Sequence, residues 1–190
     1  MLALASACTR TEAGQPLPTG GNEGASTTAR PSSSSQLAPP VNNPKDAKNV
    51  AACDALTAQQ IAQLGLNPDS RREQKLAEPF STGCAWTAPD FGWDVGFGFD
   101  TTRQGLSETY LRRNNYRHFE PRMIGDYPAV DAQTSFDPED CYTYVGIADT
   151  QQLFINVVNS PRLAKSPLRP ACERVDEIVT MIIGNLPPLK

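Results

Sequence analysis

Histidine is almost missing from this chain: 190 residues include one, His118. A Ser-His-acid or Cys-His catalytic arrangement would have to use it. A paired-histidine metal site is excluded outright. No Gly-x-Ser-x-Gly elbow marks a nucleophile, and neither a P-loop nor a dinucleotide glycine fingerprint is present. His118, within Tyr116-Arg117-His118-Phe119-Glu120, is therefore expected at the surface or in packing. Aromatic residues are missing from the first 79 positions, all fourteen lying between Phe80 and Phe154. No apolar stretch has the length needed to span a bilayer. Basic excess is lacking too, with 17 Lys and Arg against 21 Asp and Glu. That balance argues against nucleic acid as a partner and against an electrostatic grip on anionic lipid.

What is present divides into three parts. From Thr9 to Asn49 only Leu17, Leu37 and Val41 are large and aliphatic, while 20 residues are Pro, Gly, Ser or Thr. Such a stretch buries too little apolar surface to offset its chain entropy, so residues 9–49 are expected to form a disordered tether. As a flexible coil it would span about 35 Å. The folded part is then expected over residues 50–190, enough for one modest core.

Five cysteines occur, at 8, 53, 84, 141 and 172. An odd number in an exported chain points to one with a separate task. Cys8 ends Leu4-Ala5-Ser6-Ala7-Cys8, the form of a bacterial lipobox. Small side chains let a signal peptidase close on the backbone, and the thiol takes a diacylglyceryl group. Residues 1–8 thus read as the end of a signal peptide. Only seven residues precede Cys8, with no Lys or Arg among them, so the native start is expected further upstream.

The other four cysteines are expected in disulfides, which suit an oxidising compartment. Three pairings are open. The sequential one, Cys53 with Cys84 and Cys141 with Cys172, would close two loops of similar length. No two of them stand close enough for a usual structural zinc site, and no Cys-x-x-Cys pair exists for redox chemistry. No metal or other cofactor is expected.

Patterning along residues 50–190 predicts an α+β domain. Thr57 and Gln60 form a capping-box pattern, and Gly65 is placed to end the helix. Ser70 to Pro79, highly charged, reads as a loop. Gly83 to Thr87 reads as a strand, followed by a turn at Pro89-Asp90-Phe91-Gly92. Trp93 to Asp100 alternates cleanly, with Trp93, Val95, Phe97 and Phe99 on one face and Asp94, Gly96, Gly98 and Asp100 on the other. The glycine face reads as close packing of a helix or as a bulge, the alternative being a shallow ligand groove. A short helix over Leu106–Asn115, extended chain through Val130, a hairpin over Tyr142–Asn159 and a last helix from near Pro170 complete the pattern. The expectation is an antiparallel sheet of about five or six strands with the first and last helices packed on it.

With these segments in place, the chain resembles the actinobacterial lipoprotein family known as domain of unknown function 3558. The resemblance rests on Cys53-Asp54-x-Leu56-Thr57, Leu64-Gly65-Leu66 and Cys84-Ala85-Trp86. It continues through Tyr127-Pro128-Ala129-Val130, Cys141, Val145-x-Ile147-Ala148-Asp149, and Ala171-Cys172 leading to Asn185-Leu186-Pro187. It implies an envelope lipoprotein of Gram-positive actinobacteria and supplies no catalytic residues. A more remote likeness, at fold level only, is to Mog1- and PsbP-like domains.

Candidate chemistry is sparse. Asp126, Asp131, Asp137, Glu139 and Asp140 make an acidic region that could bind calcium, although Asp137-Pro138-Glu139-Asp140 reads more simply as a solvated turn. Arg112-Arg113-Asn114-Asn115 could grip an anion, or merely complete a helix end favoured by the helix dipole. The leading expectation is a non-enzymatic binding or interaction module, lipid-anchored through Cys8 on the extracytoplasmic face of the cell membrane. Its partners would be the membrane and another envelope protein. The second expectation is a carrier of a small apolar or lipid-derived ligand, using aromatic residues around Trp86 and Trp93. The third is a cell-wall glycan hydrolase, which needs two converging carboxylates.

Overall fold

The computed structural model describes residues 37–76, 80, 82–165 and 168–190. Cys8 and residues 9–36 of the expected tether lie outside them. Thr57 opens the first helix as the pattern predicts: its hydroxyl accepts the Gln60 N–H at 3.2 Å, and the Gln60 side chain accepts the Thr57 N–H at 2.8 Å. This helix, α1 (Ala58–Gln63), ends at Gly65, whose φ of 71° is costly for a residue with a Cβ.

Seven strands follow: β1 (Arg72–Gln74), β2 (Gly83–Thr87), β3 (Trp93–Asp100), β4 (His118–Ile124), β5 (Tyr127–Gln133), β6 (Cys141–Ala148) and β7 (Gln151–Asn159). They form one antiparallel sheet in the order β1-β2-β3-β7-β6-β5-β4. The count of five or six falls short by β1. Its three residues are charged or amide and largely exposed, so they carry no alternating apolar signal. β1 is an edge strand, where exposed polar side chains also discourage pairing with another chain. At the opposite edge β4 carries Pro121, which serves the same end.

Two helices complete the fold, α2 (Leu106–Leu111) and α3 (Ala171–Asn185). α2 stops short of Asn115, and a 3-10 turn over Arg113–Asn115 replaces its last turn. α3 presents Val175, Ile178, Val179 and Ile182, all fully buried, to β6 and β7. Burying each such side chain contributes about 1.5–3 kcal/mol. Asn185, at the end of α3, donates to the Ala55 carbonyl at 2.9 Å and to the Gln60 side chain at 2.7 Å. α1 and α3 are thereby tied together. No helix among the described residues is long and apolar enough to cross a membrane.

The Trp93-Val95-Phe97 face of β3 lies in the core with Trp86 and Ile155. Among the described residues the glycine face is covered by neither a helix nor a bulge, and it is not an open groove. A Cβ on Gly98 would meet the Leu76 side chain at 2.5 Å, and one on Gly96 would meet the Gln74 side chain at 2.5 Å. The chain leaving β1 lies across the strand, and glycine gives it room.

The folded part also begins earlier than composition implies. Residues 37–49 run over the domain as a strap. Lys45 N–H donates to the Ile147 carbonyl at 2.7 Å, Asp46 N–H to Pro187 at 2.9 Å, and Leu189 N–H to Pro44 at 2.9 Å. Buried Gln151 accepts the Ala47 N–H at 2.8 Å and donates to the Asp46 carboxylate at 3.1 Å. The strap is held by backbone groups, which every sequence carries, so low hydrophobicity does not prevent its docking. Gln151→Ala is expected to cost about 2 kcal/mol, because it leaves the buried Ala47 N–H without an acceptor. Urea denaturation would measure the loss, and limited proteolysis would show earlier cleavage within residues 37–49.

Candidate functional site

The four cysteines of the folded part pair sequentially. Cys53 and Cys84 join at a Cα separation of 4.9 Å, fixing a 3-10 turn (Ala52–Asp54) to β2. Cys141 and Cys172 join at 5.1 Å, fixing β6 to the first turn of α3. Beside the second bridge sits buried Asp131 of β5. Its carboxylate accepts the Thr143 hydroxyl at 2.6 Å and lies 2.7 Å from Arg122 Nε. Arg122 also reaches Asp176 of α3 at 2.6 Å. Asp131, Cys141 and Cys172 bring potential ligand atoms within 4.8 Å of one another. Both sulfurs are consumed by the disulfide, so no thiolate faces the carboxylate. The cluster is a brace linking β4, β5, β6 and α3.

The remaining sequence candidates separate. His118 packs on Phe136 with ring centroids 5.0 Å apart and lies 3.7 Å from Glu120. Among the described residues no hydroxyl or thiol is hydrogen-bonded to it. Asp126 is exposed in the turn before β5, and Glu139 is exposed as well. Arg112 pairs with Glu108 at 2.7 Å, and the Arg113 guanidinium lies over the Phe119 ring at 5.3 Å. Arg112 is thus spent on an ion pair, and Arg113 is exposed to water, which solvates its N–H edges. Trp86 is fully buried and stacked on Phe97, so it belongs to the core.

Asp137 and Asp140 reach a cleft of about 450 Å³ on the second sheet face, walled by Tyr116, Tyr142, Tyr144 and Phe154. Burial raises the Asp140 carboxyl pKa, opposed by the Asn159 N–H that donates to it at 3.1 Å. Burial also raises the Tyr144 hydroxyl, and its hydrogen bond with Tyr116 adds to the shift. The polar groups here are spent on the loop itself. Gln133 accepts the Asp137 N–H at 2.9 Å and donates to the Asp140 carbonyl at 3.2 Å.

A second cleft, of about 360 Å³, opens at the other end of β3. Trp93 and Arg174 form its floor. Leu64 and Gly65 after α1, Ala88 to Asp90 of the β2–β3 turn, and Leu168 ahead of α3 supply its walls. Arg174 is 8 % exposed, and its guanidinium carbon stands 4.1 Å from the Trp93 ring centroid. A desolvated stack of this kind is worth about 2 kcal/mol. Stacking satisfies the guanidinium face and leaves its N–H edges unanswered. Arg174 Nε is buried without an acceptor, and among the described residues no carboxylate forms an ion pair with the side chain.

The nearby acids are otherwise engaged. Glu177 is held by Arg169 at 2.8 Å. Asp90 accepts the Gly92 N–H at 3.0 Å and the Lys165 N–H at 3.3 Å, which hold its carboxyl below the usual range. Burial pulls the Arg174 guanidinium down from its ordinary value, and the charge of Arg169 adds to that. Asp90 and Glu177 oppose it. Phe91, the residue after Asp90 in the turn, holds a φ of 57° and is 65 % exposed. Left-handed backbone at a bulky residue is strained, and such strain gathers at binding sites.

Sequence reasoning placed Trp93 near a ligand and missed Arg174. The signal was available. Arg174 stands three residues after Ala171 and four before Ile178, on the apolar stripe of α3, where a charge has no place unless something answers it.

A family model described as "Protein of unknown function (DUF3558)" matches residues 3–185. No curated protein and no solved structure matches the chain.

Proposed function

We propose that this chain, which belongs to the DUF3558 family of unknown function, is a membrane-anchored envelope lipoprotein whose domain acts by non-enzymatic binding. Acylation of Cys8 supplies the anchor on the extracytoplasmic face. The polar stretch that follows spaces the domain from the headgroups. Two disulfides accord with an oxidising compartment, and the Cys141–Cys172 bridge fixes the start of α3, which lines the cleft. An actinobacterial envelope is the setting this reading implies. The Mog1- and PsbP-like analogy, helices packed on one antiparallel sheet, concerns the fold and carries no function.

One observation supports the binding role above all: a preformed cleft whose floor is a buried, unanswered arginine stacked on tryptophan. Ligand sites are concave, mostly apolar, and carry a few placed polar groups. The walls at Leu64, Ala88, Pro89 and Leu168 also favour a carrier of a small apolar ligand as the second reading.

Expressed from its own gene in its own cell, the protein is expected to incorporate an alkyne-tagged fatty acid and to sediment with membranes. Cys8→Ser should lose the label and leave the membrane pellet. An unlabelled wild-type protein would overturn the anchor. Affinity capture of the acylated full-length protein, followed by identification of bound small molecules and proteins, tests the binding role. Robust turnover of envelope substrates by the purified protein would overturn it.

A further inference from the structure

Among the described residues, Arg174 is the buried side chain whose charge is left without an ion-pair partner in an open cleft. Three arginines can be compared. Arg122 meets Asp131 and Asp176, Arg112 meets Glu108, and Arg169 meets Glu177. Arg174 meets the face of Trp93 at 4.1 Å and, among the described residues, forms no ion pair. A guanidinium lying on a ring presents its N–H donors in its own plane, the geometry that a carboxylate fills with two parallel hydrogen bonds. Burying such a group without an acceptor is costly, and an incoming anion removes that cost.

We propose that the Trp93–Arg174 cleft binds a small organic acid, its carboxylate on the Arg174 guanidinium and its apolar body along Leu64, Ala88, Pro89 and Leu168. This deepens the binding-module reading and rests on it. Three features select the occupant. The apolar wall calls for a hydrocarbon body. A single unpaired guanidinium matches a single negative charge. Asp90 and Glu177 stand close enough to act electrostatically on Arg174, and a doubly charged phosphoryl head would meet their repulsion more strongly than a carboxylate. The volume, about 360 Å³, lies at the small end of the range for ligand sites, which suits a free acid better than a folded partner.

The test uses octanoate, octanol, octylamine and octyl phosphate as probes on the purified chain with both disulfides intact. Binding is read by calorimetry and by the NMR signal of the Arg174 Nε–H, which is shielded from solvent. Octanoate is expected to bind at least about tenfold more tightly than octanol, the advantage of a charge-assisted pair, and to move the Nε–H resonance. Octylamine should not bind. Arg174→Met, which keeps a buried apolar side chain on Trp93, should erase the preference for octanoate while thermal denaturation shows a folded protein. Arg174→Lys, with charge but no fork, should recover only part of it.

Equal binding of octanoate and octanol, or tighter binding of octyl phosphate, would overturn the proposal, as would retention of the preference in Arg174→Met. A peptide with a free apolar C-terminus that binds more tightly than octanoate would overturn the choice of a small acid. If none of the probes binds while affinity capture still retrieves a specific partner, this inference falls and the binding-module reading stands. If neither yields a ligand, both fall.

Discussion

Replacing Cys141 and Cys172 together by alanine is expected to lower the unfolding free energy by about 4 kcal/mol, from loop-closure entropy alone. The bridge closes a loop of sequence separation 31, and the same separation applies to Cys53–Cys84. The entropic argument therefore assigns the two bridges equal weight, and because the loops do not overlap their losses should add. Against a typical domain stability of about 5–15 kcal/mol, removing both would take away about half or more. The surroundings break the symmetry. Cys141 is fully buried beside Asp131, and its bridge fixes the start of α3, which carries Arg174 into the cleft. Cys53 is held in a short turn that touches β2 and β3. The Cys141–Cys172 variant should thus lose ligand binding along with stability, whereas the Cys53–Cys84 variant should lose stability chiefly. Urea denaturation of the two double variants, each with calorimetry of octanoate binding, separates these effects. A loss under about 1 kcal/mol would mean that the unfolded chain is already compact around that pair.

The sheet was legible wherever the burial pattern is simple. β2 and β3 have the limits that alternation and the Pro89–Gly92 turn predict, because one face of β3 is wholly apolar and a slip by one residue would expose it. The capping box at Thr57 was equally readable, since a cap is a local bargain between neighbouring residues. What stayed hidden depends on partners distant in sequence. β1 pairs through backbone groups with side chains that face water. The strap over residues 37–49 docks through main-chain hydrogen bonds to Ile147 and Pro187 and through Gln151, none of which a composition window can see. The acidic region before Cys141 read as one feature. The sheet divides it, with Asp131 beside the disulfide and Asp140 at the aromatic cleft on the other face. Charge on an apolar stripe, as at Arg174, is the one long-range feature that a sequence does display.

The brace around Asp131 yields the other large effect. Asp131→Asn is expected to cost about 3–5 kcal/mol, the range for breaking a buried ion pair from one side. The substitution keeps the volume and can still accept from Thr143, so the loss would be that of the charge. Arg122, largely buried, would retain only Asp176, whose side chain is 47 % exposed and screened by water. The pair is not ideal even in the native protein. Arg122 Nη2 is buried without an acceptor, and Nε lies 2.7 Å from the Asp131 carboxylate without a well-aligned hydrogen bond. Desolvation is therefore incompletely repaid, and the double variant Arg122→Met, Asp131→Asn should be more stable than Asp131→Asn alone. Asp176→Asn, by contrast, should cost under about 1 kcal/mol. Urea denaturation of the wild type, Arg122→Met, Asp131→Asn and the double variant gives the cycle. A double variant that merely adds the two single losses would show that Arg122 and Asp131 stabilise the fold independently, and the brace would have no meaning as a unit.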